Sequence, residues 1–228
     1  MAEISKLVPI ILATIAITLM YLLYSYFSLK PTTISTSADL NSTTDNVITI
    51  KSAHTRYAYG GWLYVKSLPI ANSKQYIFNR PDNISLSLSG TRPTLTCNIT
   101  TATATPNTVV PVIITDNFPM QKWTHVMINV DNSYIDCYLD GKLIKSKRVN
   151  DINGNGPLVP TADNSITLGT CDAQLTKFKY WETIISPEDA WTEYKSGNGQ
   201  STFGNTLSNY GADIQILKDG IEQTSFSM

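Results

Sequence analysis

The stretch that most limits what this chain can fold into runs from Lys122 to Val149, KWTHVMINVDNSYIDCYLDGKLIKSKRV. Val126, Ile128 and Val130 alternate with His125, Met127 and Asn129, the period-two signature of a half-buried strand. Asp131 and Asn132 supply turn chemistry, and a second alternating strand sets Ile135, Cys137 and Leu139 against Tyr134, Asp136 and Tyr138. It ends in Asp140-Gly141, which predicts a type I′ hairpin turn because both central residues of such a turn need positive φ. A third, basic strand follows, carrying Lys142, Lys145, Lys147 and Arg148. Lysines on a strand suit a solvated sheet surface; the functional alternative is contact with an acidic partner or lipid headgroups.

Short strands continue through the chain, at Val47 to Lys51, Ala58 to Lys66, Gln75 to Asn79, Ile84 to Ser89, Leu95 to Ile99 and Val109 to Thr115. Almost no helix interrupts them, so the fold class is all-β, a sandwich or barrel. Ile84, Leu86 and Leu88 alternate with Ser85, Ser87 and Ser89, which predicts one buried and one wet face. The Thr-rich run from Thr91 to Thr108 reads as a strand and a long loop. One helix is expected near 187–194: Ser186 is a good N-cap, Pro187 fits the first helical position, and Glu188 and Asp189 complement the helix dipole. Ala190, Trp191 and Tyr194 share a face that can lie on the sandwich.

These residues resemble a known family. Trp123-x-His125-Val126, followed by Tyr138-x-Asp140-Gly141-Lys142-Leu143, is similar to the laminin-G-like branch of the concanavalin A-like lectin/glucanase superfamily. Tyr59-Gly60-Gly61-Trp62 through Lys66, Tyr76 through Arg80, Ile166 through Gly169, and Ser186-Pro187-Glu188-Asp189 through Gly197 extend the resemblance over roughly residues 47 to 197, in the family's order. It implies a two-sheet antiparallel jelly roll. The form with an amino-terminal anchor and a Phe178-x-Tyr180-Trp181 strand before Ser186-Pro187-Glu188 is similar to proteins of large DNA viruses, which implies a virion component.

The expected organisation is an anchor over residues 1–30, a Ser/Thr-rich tether over 31–46, the sandwich over 47–197, and a Gly/Asn-rich loop with a terminal hairpin over 198–228. Leu7 to Leu29 carries no charge, and at ~1.5 Å per residue it spans about 35 Å against a hydrocarbon core of about 30 Å. The localisation expected from this run is a single-pass membrane protein, with a virion membrane implied by the viral resemblance; a cleaved signal peptide fits less well. The expected partners are the membrane, proteins of a membrane-associated assembly, and glycans. A net charge of −1 with 15% charged residues excludes a nucleic-acid footprint.

No catalytic residue is expected. The glucanase branch of the resembled family presents Glu-x-Asp-x-x-Glu on one strand, and that pattern does not occur here. The loop candidates for ligand binding are Asp151, Asn153 and Asn155, which imitate the opening of an EF-hand loop. Its twelfth position is Ala162 instead of a bidentate Glu, so no cofactor is expected and calcium stays a weak alternative at the same three residues. Asn41, Asn83 and Asn98 stand in glycosylation sequons. Cys97 and Cys171 can pair only if their strands meet, and Cys137 reads as a small buried hydrophobe. The function expected is a non-enzymatic, membrane-tethered recognition or structural module linking membrane and protein shell; a glycan-binding lectin is the alternative, and a glycoside hydrolase the third reading.

Overall fold

The computed structural model describes residues 12–23, 30–41, 47–50, 53–68, 74–101, 108–150, 154–161, 164–169, 171–199, 213–218 and 221–227. Two six-stranded antiparallel sheets form a sandwich. The first has the order β1 (Thr32–Asp39), β12 (Ala173–Trp181), β3 (Arg56–Val65), β8 (Trp123–Asp131), β9 (Tyr134–Leu139), β10 (Lys142–Arg148). The second has the order β2 (Val47–Thr49), β11 (Ser165–Leu168), β4 (Lys74–Arg80), β5 (Ile84–Ser89), β6 (Leu95–Thr101), β7 (Thr108–Thr115). A helix over residues 12–23 (α1) precedes the sheets, α2 (Pro187–Lys195) follows β12, and β13 (Asp213–Lys218) pairs antiparallel with β14 (Ile221–Ser227).

The expected hairpin forms as written. Val126 pairs with Leu139 and Val130 with Ile135, and the turn holds Asp140 at φ +47° and Gly141 at φ +73°. The inward residues of both sheets meet in one core, in which Tyr59 packs its ring 5.2 Å from that of Phe78 and 6.0 Å from that of Phe178. Gly61 suits this packing: a Cβ there would lie 3.2 Å from the Phe178 Cα, so a side chain would require β12 to give by a few tenths of an ångström.

Several expectations are corrected. Among the described residues no helix is long and apolar enough to cross a membrane. The described part of α1 covers about 18 Å at ~1.5 Å per residue, short of a bilayer core of about 30 Å. The single-pass membrane localisation is overturned on that finding, and the expected link between membrane and shell loses its membrane half. Residues 32–39, expected within a flexible tether, form β1, which pairs along β12 from Thr32 opposite Tyr180 to Asp39 opposite Gln174. Ladder bonds to a neighbouring strand outweigh the flexibility that a Ser/Thr-rich composition suggests.

Two faces expected to be wet carry buried residues. Ser85 and Ser87 are buried, and their hydroxyls are satisfied by Asn98 on the neighbouring β6, which donates from Nδ2 to Ser85 Oγ at 3.3 Å and Ser87 Oγ at 3.1 Å. His125, Met127 and Asn129 are also buried, since α2 and the segment before it lie over the outside of the first sheet. Asn129 fixes that segment twice, donating from Nδ2 to the Ile185 carbonyl at 2.7 Å and accepting from the Ile185 N–H at 3.2 Å. Met127, Tyr138, Trp181, Ile185 and Ala190 thus make a second small core with Ala58.

Helix α2 follows the expected capping: Ser186 Oγ accepts from the Asp189 N–H at 3.1 Å, and Gly197 follows the helix at φ +68°. Ala190 is buried as expected, whereas Trp191 stays 40% exposed. Tyr194 stacks on Trp62 with centroids 5.5 Å apart. The helix rests on the hairpin turn, where a Cβ on Gly141 would come 2.8 Å from Trp191 Cε3.

Candidate functional site

The outer face of the second sheet carries a polar cleft of about 290 Å³, built from β4, β5, β6 and the turn between β4 and β5. Its shape begins with an irregularity in β4. The register against β5 shifts between Tyr76 and Phe78, so Ile77 and Phe78 both turn into the core while Tyr76 and Asn79 both line the outside. A bulge of this kind re-aims side chains at a sheet surface. Tyr76 is 37% exposed at the cleft wall.

The floor is a row of neutral polar groups. Asn98, Ser85 and Thr100 line it, with Asn98 held by its bonds to Ser85 and Ser87, and Ser87 Oγ donating onward to the Thr96 carbonyl at 3.3 Å. Bonds of this kind lock the amide before a ligand arrives, which lowers the ordering cost of binding. Asp82, at φ +55° in the β4–β5 turn, and Val109 on β7 complete the rim. Arg80 also lines the cleft, yet its guanidinium turns inward and donates to the Tyr59 hydroxyl at 3.1 Å and the Thr161 carbonyl at 3.3 Å. Burial pushes the hydroxyls of Tyr57 and Tyr59 up from their ordinary range, so both are neutral.

The residues singled out from the sequence lie elsewhere or serve the fold. Asp151 and Asn153 lie outside the described residues, and Asn155 is exposed on the loop leading to Gly156. Among the described residues no cluster of three His, Cys, Asp or Glu side chains could hold a metal ion. Asn41 is exposed in the turn after β1, its N–H bonded to Asp39 Oδ1 at 3.1 Å. Asn83 is wholly buried, donating to the Leu158 carbonyl at 2.8 Å and accepting from the Tyr57 hydroxyl at 3.0 Å, so this fold leaves no room for a glycan there. Asn98 is buried in the cleft floor, its amide nitrogen already bonded to two hydroxyls. The three cysteines are buried and none is in a disulfide. Cys97 and Cys171 are thus not joined by a disulfide, and Cys137 is held as a thiol, pushed up to about 12 by burial and by Asp136.

The hairpin's titratable residues are structural. Asp140 accepts from the His125 N–H at 2.9 Å, and the His125 ring is enclosed by Trp62 and Tyr194 at centroid distances of 5.3 and 6.3 Å. Burial, and then Lys179, lower the His125 pKa to about 4. Sequence reading passed over Tyr76, Asn79 and Ser85 as ordinary strand residues. The available signal was the Tyr76-Ile77-Phe78-Asn79 run, whose adjacent Ile and Phe break strict alternation and mark the bulge.

None of the curated proteins matches this sequence. Solved structures do match in fold. The receptor binding domain of botulinum neurotoxin C/D mosaic serotype aligns at a TM-score of 0.57 and 16% identity, covering 74% of this chain and 45% of that one. The ligand binding domain of botulinum neurotoxin serotype D in complex with N-acetylneuraminic acid aligns at 0.54 and 16%, covering 74% and 44%. The binding domain of botulinum neurotoxin DC in complex with SialylT aligns at 0.52 and 15%, covering 74% and 44%. The chain therefore spans less than half the length of these structures, and at such identities the likeness is one of fold. The model of the concanavalin A-like lectin/glucanases superfamily matches residues 35–190, which include both sheets' central strands and the start of α2. With more than half of its length matched, the chain belongs to the concanavalin A-like lectin/glucanases superfamily.

Proposed function

We propose that this domain is a non-enzymatic recognition module that binds carbohydrate in the outer cleft of the second sheet. One observation carries the reading: Tyr76 stands partly exposed beside Asn79, Ser85, Asn98 and Thr100, in a cleft of about 290 Å³. A sugar ring offers an apolar C–H face and a rim of hydroxyls. An aromatic ring matches the first, and fixed amides and hydroxyls match the second. The glycan complexes described for two neurotoxin domains of the same fold give the reading indirect support.

Hydrolysis by paired carboxylates needs two acidic groups about 5–5.5 Å apart in a retaining enzyme. Among the described residues lining the cleft, Asp82 is the one carboxylate, which favours binding over cleavage. A glycan array probed with the full chain, with and without calcium, tests the proposal, with Tyr76→Ala as the control. Calcium-independent binding that Tyr76→Ala weakens by about tenfold or more is expected. An array without any bound glycan, binding indifferent to Tyr76→Ala, or release of reducing ends would overturn it.

A further inference from the structure

β10 is the outermost strand of the first sheet, with β9 as its strand neighbour on one side. Its other side presents the backbone donors and acceptors that β9 does not use. The second sheet's edge at β7 is blunted, since Pro111 lacks a donor and its carbonyl receives Lys147 Nζ at 3.1 Å. β10 contains no proline.

It also concentrates positive charge, with four of the chain's 17 Lys and Arg residues in seven positions. Arg56, Lys66, Lys122 and Lys179 each pair with a carboxylate. Lys142, Lys145, Lys147 and Arg148 form no ion pair among the described residues, in a chain whose net charge is −1. Lysines alone would describe an edge protected against pairing. Leu143 and Ile144, 51% and 48% exposed, do not serve protection. The register shift between Leu143 and Lys145 leaves Ile144 without a partner on β9.

We propose that β10 is a docking edge for an extended acidic segment of a partner protein, which joins the first sheet as a further strand and sets its carboxylates against these cations. Backbone bonds would supply affinity, while Leu143, Ile144 and the cations select the sequence. A second copy of this chain does not suit the edge, because two β10 strands side by side set cation against cation. An anionic lipid surface would meet the cations but leave the backbone edge unbonded.

The test uses the full chain and a short fluorescent peptide alternating glutamate and valine, followed by anisotropy at low salt. The expected result is saturable binding, weakened about tenfold or more by Lys145→Glu/Lys147→Glu and by N-methylation of the peptide backbone, and unaffected by Tyr76→Ala. Equal binding of the N-methylated peptide would show charge attraction alone and overturn the strand-addition reading. So would binding to phosphatidylserine vesicles with none to the peptide. Self-association of Lys145→Ala/Lys147→Ala, with no peptide bound by the native chain, would assign β10 to edge protection instead. The cleft proposal stands or falls separately, since Tyr76→Ala and the β10 variants are read against different probes.

Discussion

The outer faces of the two sheets are built from similar alternating strands and end in opposite states. On the first sheet, Met127, Tyr138 and Trp181 are sealed beneath Ile185 and Ala190, and His125 is buried beside Tyr194 of the helix. On the second, Tyr76, Asn79 and Thr100 line an open cleft over buried Ser85 and Asn98. The difference leaves one face covered by the helix and the other, where the proposed binding cleft lies, uncovered.

The sharpest way to break this comparison is to open the covered face. Trp181→Ala, in the small core beneath α2, is expected to cost about 3–5 kcal/mol, read as a lower urea midpoint. A loss below about 1 kcal/mol would mean the covered face contributes little.

Gly141→Ala comes next. It places a Cβ at φ +73°, within 2.8 Å of the Trp191 ring and 3.2 Å of the Trp191 Cα, so the turn and the helix must separate. The expected cost is about 2–3 kcal/mol, with increased Trp191 exposure seen by fluorescence quenching.

His125 makes the covered face sensitive to acid. Its folded pKa of about 4 lies below the ordinary 6.5, so the unfolded chain binds the additional proton. Stability is then full above about pH 6.5 and falls as pH drops toward about 4. Charges near this ring include Lys179, paired with Glu193 at 2.7 Å, and the carboxylate of Asp140. Between about pH 7.5 and pH 5 the native chain should lose about 2 kcal/mol more than His125→Gln, measured as the difference in urea midpoints. Equal losses would remove His125 from the account.

The smallest stability effect is expected on the open face. Tyr76→Ala should change stability by less than about 1 kcal/mol while weakening glycan binding. A large stability loss there would make Tyr76 a fold residue and erase the contrast between the two faces.

Much of the scaffold was legible in the sequence. The alternation of Val126, Ile128 and Val130, the Asp140-Gly141 turn and the Ser186 cap express short-range preferences of the backbone, so they read directly from neighbouring residues. The candidate site was far less legible. Asp151 and Asn153 drew attention because their spacing imitates a metal loop, whereas the cleft joins Tyr76 to Asn98 across two strand pairings. Sequons at Asn83 and Asn98 were equally visible, but a three-residue motif carries no information on burial. The anchor expectation rested on hydropathy alone, and among the described residues no helix is long and apolar enough to cross a membrane.

By itself, the sequence determined the strand periods, the turn types, the helix cap and the membership of a sandwich family, because each depends on residues a few positions apart. The tertiary structure alone decided which strand faces are covered. α2 closes over His125 and Met127, and nothing described closes over Tyr76, although the strands beneath them alternate in the same manner. The physical reason is that local pattern sets which side chains share a face, whereas burial depends on what the rest of the chain lays upon it.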